Sequence, residues 1–173
     1  MTRTAFGRYV LAGCLALLGC ATTSPSLAKG TVVQFSGSLS PGTVVVRTAE
    51  RRLYLVLGDG EAIQYKVGVG RANRQWIGKS SITGKYLAPH WEPPDDVRRD
   101  NPDLPRVIAG GAPNNPMGVA AMTLSGGQYA IHGTNRPASV GGFVSYGCIR
   151  MYNQDIADLY RRVQVGTTVL VLR

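Results

Sequence analysis

Histidine and cysteine are scarce in this sequence: two histidines and three cysteines in 173 residues. His90, His132 and the one cysteine beyond residue 20 are too few, and show no ligand spacing, for a metal centre, so neither a metal nor any other cofactor is expected. Acidic residues are also few, ten against nineteen lysines and arginines, which leaves a formal charge of +9. Such a balance suits an anionic membrane surface, an acidic polymer or nucleic acid, or simply keeps the protein soluble. Long apolar runs are missing after residue 30, where charges, glycines and prolines interrupt each one, so no later segment reaches membrane-spanning length and a soluble mature domain is expected. Internal repeats and heptads are absent as well. The length allows one domain with a substantial core and is short for two.

The first residues have the layout of an export signal, with Arg3 and Arg8 ahead of the apolar run from Tyr9 to Gly19. Two processing readings are open. Leu17-Leu18-Gly19-Cys20 resembles the lipobox of bacterial lipoproteins, in which Cys20 would be lipidated, and Ala21 after it favours the outer membrane. Alternatively, Ser26-Leu27-Ala28 is a small-residue cleavage site. The expected organisation is an export signal over residues 1–28, a linker over 29–42 and one domain over 43–173. Export to the periplasm sets nucleic acid aside as a partner. It also makes Cys148 conspicuous, because Cys14 and Cys20 belong to the leader and Cys148 is left as an unpaired thiol in an oxidising compartment.

Beyond the leader the patterning is strand-like. Thr43 to Arg47 is rich in β-branched residues, and Arg52 to Leu57 and Ala62 to Val69 flank Gly58-Asp59-Gly60, as in a hairpin with a three-residue loop. Seven of the ten prolines fall between Pro89 and Pro116, which predicts a long ordered loop with neither helix nor central strand. Trp91, Leu104, Val107 and Ile108 within it favour packing over flexibility. Strands are expected again at Val119 to Leu124, Gln128 to His132 and Thr167 to Leu172. Between them Asn153 can cap a helix whose Ile156, Leu159, Tyr160 and Val163 share one face. The expectation is a single mostly-β domain with one short helix after Cys148.

A cysteine nucleophile needs a base and main-chain donors for the oxyanion formed on attack. Cys148 follows Ser145-Tyr146-Gly147, where the glycine permits close backbone approach. His132 ends a strand and opens Gly133-Thr134-Asn135, a position from which loops commonly present functional groups. His90, beside Trp91 in the proline-rich loop, suits a surface or anchoring role. Taken singly, each residue has an ordinary alternative: a lone cysteine is more often a small core residue, and a lone histidine is about as often structural.

Together they carry a family resemblance. Ile131-His132-Gly133-Thr134, followed 16 positions after His132 by Cys148 within Ser145-Tyr146-Gly147-Cys148-Ile149-Arg150, resembles the signature of the L,D-transpeptidase (YkuD-like) catalytic domain. Leu53-Tyr54-Leu55-Val56, Gly68-Val69-Gly70, Trp91-Glu92-Pro93-Pro94, Asn101-Pro102, the segment from Gly110 to Gly118 and Val165-Gly166-Thr167 extend it over residues 43–173. The resemblance implies a β-sandwich-like domain in which Cys148 attacks the meso-diaminopimelate carbonyl of a peptidoglycan tetrapeptide stem and expels D-alanine. The acyl group then passes to an amine of another stem or of an envelope protein, or to water in a carboxypeptidase. His132 is implied as the base, with the Gly133 carbonyl fixing its ring, while Arg150 and Ser145 are assigned to the stem carboxylate and Tyr146 and Gly147 to the substrate and oxyanion region. Many members carry histidine where this chain has Tyr146; a phenol donates a hydrogen bond there but brings no charge. Two rivals stand beside this reading: a papain-like wall endopeptidase or amidase, disfavoured because its cysteine precedes its histidine and starts a helix, and a wall-binding lipoprotein without catalysis, which leaves the spaced histidine and cysteine unexplained.

Overall fold

The computed structural model describes Met1 and residues 30–173, so the leader and Cys20 lie outside the described residues. Runs of β-branched and aromatic residues at period two build ten strands: β1 (Thr31–Gln34), β2 (Val44–Arg47), β3 (Arg52–Gly58), β4 (Glu61–Gly70), β5 (Gly78–Leu87), β6 (Ala120–Leu124), β7 (Ala130–His132), β8 (Phe143–Ser145), β9 (Ile149–Met151) and β10 (Thr168–Leu172). Among the described residues two α-helices accompany them, α1 (Asp95–Asp100) and α2 (Asn153–Arg162). Pairing runs β4-β3-β2-β10-β5-β6-β7-β9 and returns to β4 through Val67 opposite Met151 and Gly68 opposite Arg150. The sheet therefore closes on itself into a flattened barrel, or sandwich, which matches the expected mostly-β class. β1 pairs with the first half of β4 and β8 with its end.

Alternation along the strands divides the apolar residues between two clusters. Val44 and Val46, Leu53 and Leu55, and Ile131, Ile149 and Met151 point inward, where wholly buried Ile156 and Leu159 of α2 join them. Side chains of this size contribute about 1.5–3 kcal/mol each when fully buried. On the other face of the same strands, Val45, Tyr54, Val56 and Ala62 pack with Phe35, Val33 and Leu39.

The structure departs from the sequence-based expectations in four places. Residues 29–42, expected as a linker, contribute β1, because Thr31-Val32-Val33 pairs with the open edge of β4 and the Phe35 ring packs tilted against Tyr54 with centroids 5.3 Å apart. The hairpin turn has two residues: Gly58 pairs with Glu61, and Asp59 and Gly60 both have positive φ (50° and 75°), as this tight turn requires, with the register slipping between Val56 and Gly58. The proline-rich loop holds a helix after all. Its prolines bracket α1 without interrupting it, since Pro94 occupies the N-cap, Asp95 and Asp96 complement the helix N-terminus, and Pro102 follows the C-cap Asn101. Asn153 begins α2 but does not cap it; its side chain reaches elsewhere.

Candidate active site

The proximity of His132 and Cys148 follows from one pairing. β7 and β9 are parallel neighbours, with Ile131 opposite Ile149 and His132 opposite Arg150. Side chains alternate, so the two isoleucines enter the core while His132, Cys148 and Arg150 turn to the opposite face, where all three line one cavity of about 820 Å³. The far wall of that cavity comes from the proline-rich loop: Trp91, residues of α1, Pro116 and Met117. His90 does not line it.

The turn before Cys148 is tightly specified. Buried Ser145 donates its hydroxyl proton to the Cys148 carbonyl at 2.6 Å and accepts the Gly147 N–H at 3.1 Å. Its only proton is thus committed inside the turn, so Ser145 shapes the nucleophile's backbone and is not placed to donate to a stem carboxylate. Gly147 has φ +125°, and a Cβ there would collide with the Tyr129 ring. Tyr129 stacks on Trp76 with centroids 4.8 Å apart, and Trp76 Nε1 donates to the Gly147 carbonyl at 2.9 Å. Sequence reasoning missed Trp76 and Tyr129. A signal existed only in that each is an aromatic residue two positions from a glycine, which is too common to select them.

His132 is buried, and its Nδ1 lies 2.7 Å from the Gly133 carbonyl oxygen. A carbonyl only accepts, so Nδ1 carries the proton of the neutral ring and Nε2 keeps the lone pair that can act as a base. Burial, reinforced by the charge of Arg150, pulls the imidazole pKa down to about 4, against the smaller opposing pull of the Gly133 and Pro116 carbonyls. Burial likewise pushes the Cys148 thiol up, while an Ala130 backbone hydrogen bond and Arg150 oppose the rise. Both groups are therefore neutral at rest near pH 7. The loop after His132 is fixed by Asn153, whose Oδ1 accepts from Thr134 N–H at 2.9 Å and Val119 N–H at 3.4 Å; a Cβ on Gly133 would strike that same oxygen.

Arg150 is half-buried and has no carboxylate partner among the described residues. Nη1 donates to Ser139 Oγ at 3.0 Å, and Nε is buried with no partner. Burial lowers its pKa, and Arg136 repels it. A guanidinium held this way in a cavity wall is suited to an anionic ligand group. Tyr146 also lines the cavity, but its hydroxyl donates to Asp100 of α1 at 2.6 Å.

A closed β domain in which one cavity holds a cysteine thiol, a neutral imidazole and an arginine without a carboxylate partner has the components of a cysteine acyl-transfer site. A family model, the L,D-transpeptidase catalytic domain (YkuD), matches residues 41–171, and the chain belongs to that family. It is 38% identical over 138 residues to the "Probable L,D-transpeptidase ErfK/SrfK" of Escherichia coli (strain K12), covering 75% of this chain and 43% of the relative. It is 37% identical over 135 residues to the "Probable L,D-transpeptidase YbiS" of the same organism, covering 73% and 43%. The chain thus spans less than half the length of these two curated relatives. Among solved structures, L,D-transpeptidase 3 from Mycobacterium tuberculosis superposes with a TM-score of 0.58 at 18% identity, covering 84% of this chain and 70% of that one. An L,D-transpeptidase from Mycobacterium smegmatis gives 0.61 at 14% identity, covering 84% and 69%. These likenesses establish the fold.

Proposed function

We propose that the chain is a peptidoglycan L,D-transpeptidase in which Cys148 is the nucleophile and His132 its base. The observation that carries this reading is one cavity lined by a thiol, a neutral imidazole whose Nδ1 proton is held by Gly133, and a guanidinium without an anionic partner. In the first half-reaction Sγ bonds to the meso-diaminopimelate carbonyl carbon of a tetrapeptide stem as its proton passes to His132 Nε2. The tetrahedral intermediate collapses by breaking the amide C–N bond, His132 returns the proton to the departing nitrogen, and D-alanine leaves. In the second, an acceptor amine attacks the thioester, gives a proton to His132 and releases Cys148 as the thiol. Arg150 binds a stem carboxylate. With a stem as acceptor the product is a crosslink; with an envelope protein it is an anchored protein.

The leader supports a periplasmic location, with Cys20 lipidated and seated in the outer membrane. The intact mass of the protein recovered from membranes distinguishes a diacylglyceryl Cys20 from a chain beginning at Lys29. Activity is tested by incubating the purified protein with tetrapeptide stems and a stem amine acceptor. Free D-alanine together with a crosslinked product is expected, and folded, reduced protein that releases no D-alanine contradicts the reading.

A further inference from the structure

Tyr146 occupies the position next to the nucleophile's glycine, yet its polar end faces away from an oxyanion role. Its hydroxyl proton is donated to Asp100 Oδ2 at 2.6 Å, and a phenol has only one proton to give. The same carboxylate oxygen accepts Arg71 Nη2 at 2.9 Å, and the Arg71 guanidinium lies 4.0 Å from the centroid of the Tyr146 ring. Arg74, 5.4 Å from that ring, pairs with Asp96 at 3.0 Å. The backbone joins this cluster to the nucleophile segment, because Arg71 N–H donates to the Ser145 carbonyl at 3.0 Å.

What α1 otherwise lacks makes the cluster consequential. α1 has six residues, none of them buried, so neither a core contact nor intrinsic helix stability holds it. The base of its loop is secured elsewhere, by the backbone bridge between Trp91 and Ile108 and by Asn115 Nδ2, which donates to the Pro89 and Ala109 carbonyls. The outer part of the loop is secured by Tyr146, Arg71 and Arg74. Asp95, Asp96 and Val97 of α1 line the same cavity as Cys148.

We propose that Tyr146 is a positioning residue that acts through Asp100, latching α1 against the nucleophile's turn so that α1 forms one wall of the stem-binding cleft. The inference rests on the transpeptidase reading for the identity of the stem, but the latch itself does not. Loss of either partner loosens α1, the more so for Asp100, which holds Arg71 as well, so stems bind less well while the thiol and its base are untouched.

The test uses the folded, reduced protein with Tyr146→Phe, Asp100→Ala and the double variant. Three quantities are read: amide hydrogen exchange over residues 95–101, kcat and KM for a tetrapeptide stem, and alkylation of Cys148 by iodoacetamide. The latch predicts faster exchange over 95–101 in all three variants and a KM raised about tenfold with kcat little changed. The double variant should be no worse than Asp100→Ala, which alone removes both the Tyr146 and the Arg71 contacts, and alkylation should be unchanged. A kcat loss in Tyr146→Phe with Asp100→Ala normal would assign Tyr146 to the reacting atoms and overturn the latch. Unaltered exchange, unaltered KM or additive losses would overturn it too. If the wild type turns over no stem at all, the transpeptidase reading fails, and hydrogen exchange alone then decides the latch: faster exchange over 95–101 in all three variants upholds it and unaltered exchange refutes it.

Discussion

Replacing Arg150 separates binding from folding, because the structure gives this residue little to do in the folded state alone. Its described polar contact is one hydrogen bond to Ser139, its Nε has none, and burial works against its charge. Arg150→Met therefore loses one hydrogen bond, about 1 kcal/mol, and removes a desolvated cation without leaving a carboxylate unpaired. The net change in stability should stay within about 1.5 kcal/mol, a shift of a few degrees in melting temperature. Against a stem the loss is larger: a charge-assisted hydrogen bond is typically about 1.5–3 kcal/mol, roughly tenfold to a hundredfold in kcat/KM. Arg150→Lys keeps the charge but loses the planar fork, so it too should fall by about that much on intact stems and much less on an analogue whose contacted carboxylate is amidated. Thermal melts and steady-state kinetics on both substrates provide the assay. Equal losses on the two substrates, or a melting-temperature drop large enough to account for them, would refute the argument and make Arg150 a structural residue.

The acid limb of kcat/KM should lie near pH 4, where buried His132 loses its proton and becomes a competent base; a limb near 6.5 would show that the ring is not desolvated as the structure has it. Asp155 is a buried acid whose pKa is raised to about 6 by burial first and Asp158 second, and its Oδ1 has no partner. With the folded value above the unfolded one, its contribution to stability is fully present below about pH 4 and is lost as pH rises through about 6, a loss on the order of 3 kcal/mol by pH 7.5. Asp155→Asn should accordingly raise the melting temperature at pH 7.5 and give no gain at pH 4; equal effects at both values would contradict the assignment. Gly147→Ala combines positive φ with a collision against Tyr129 and should cost about 2–3 kcal/mol along with activity, and an unchanged melt would show that the turn relaxes freely.

Local pattern made much of the fold legible. The β3–β4 hairpin, β6, β10 and the buried face of α2 each declare themselves within a dozen residues, and the two histidines and the single late cysteine left few choices for a nucleophile and base. The missing parts depend on distant partners. β5 is a polar strand, Gly-Lys-Ser-Ser-Ile-Thr, that exists because β10 and β6 flank it. Trp76 meets Gly147 across 71 positions, and Tyr146 meets Asp100 across 46. Ser145 was expected to serve the substrate, since a sequence names a hydroxyl without showing that its proton is already committed to a carbonyl three residues on.

Trapping the acyl-enzyme tests the central claim most directly. Folded, reduced protein is incubated with a tetrapeptide stem whose free amines are acetylated, so that no amine acceptor is present, quenched in acid and read by intact mass and peptide mapping. The wild type should gain the mass of the stem less D-alanine as a thioester located at Cys148, and the gain should be absent in Cys148→Ala, a variant that removes the reactive atom and little volume. D-Alanine released by Cys148→Ala at the wild-type rate, or an adduct mapped to any other residue, would contradict the assignment of Cys148 as the nucleophile.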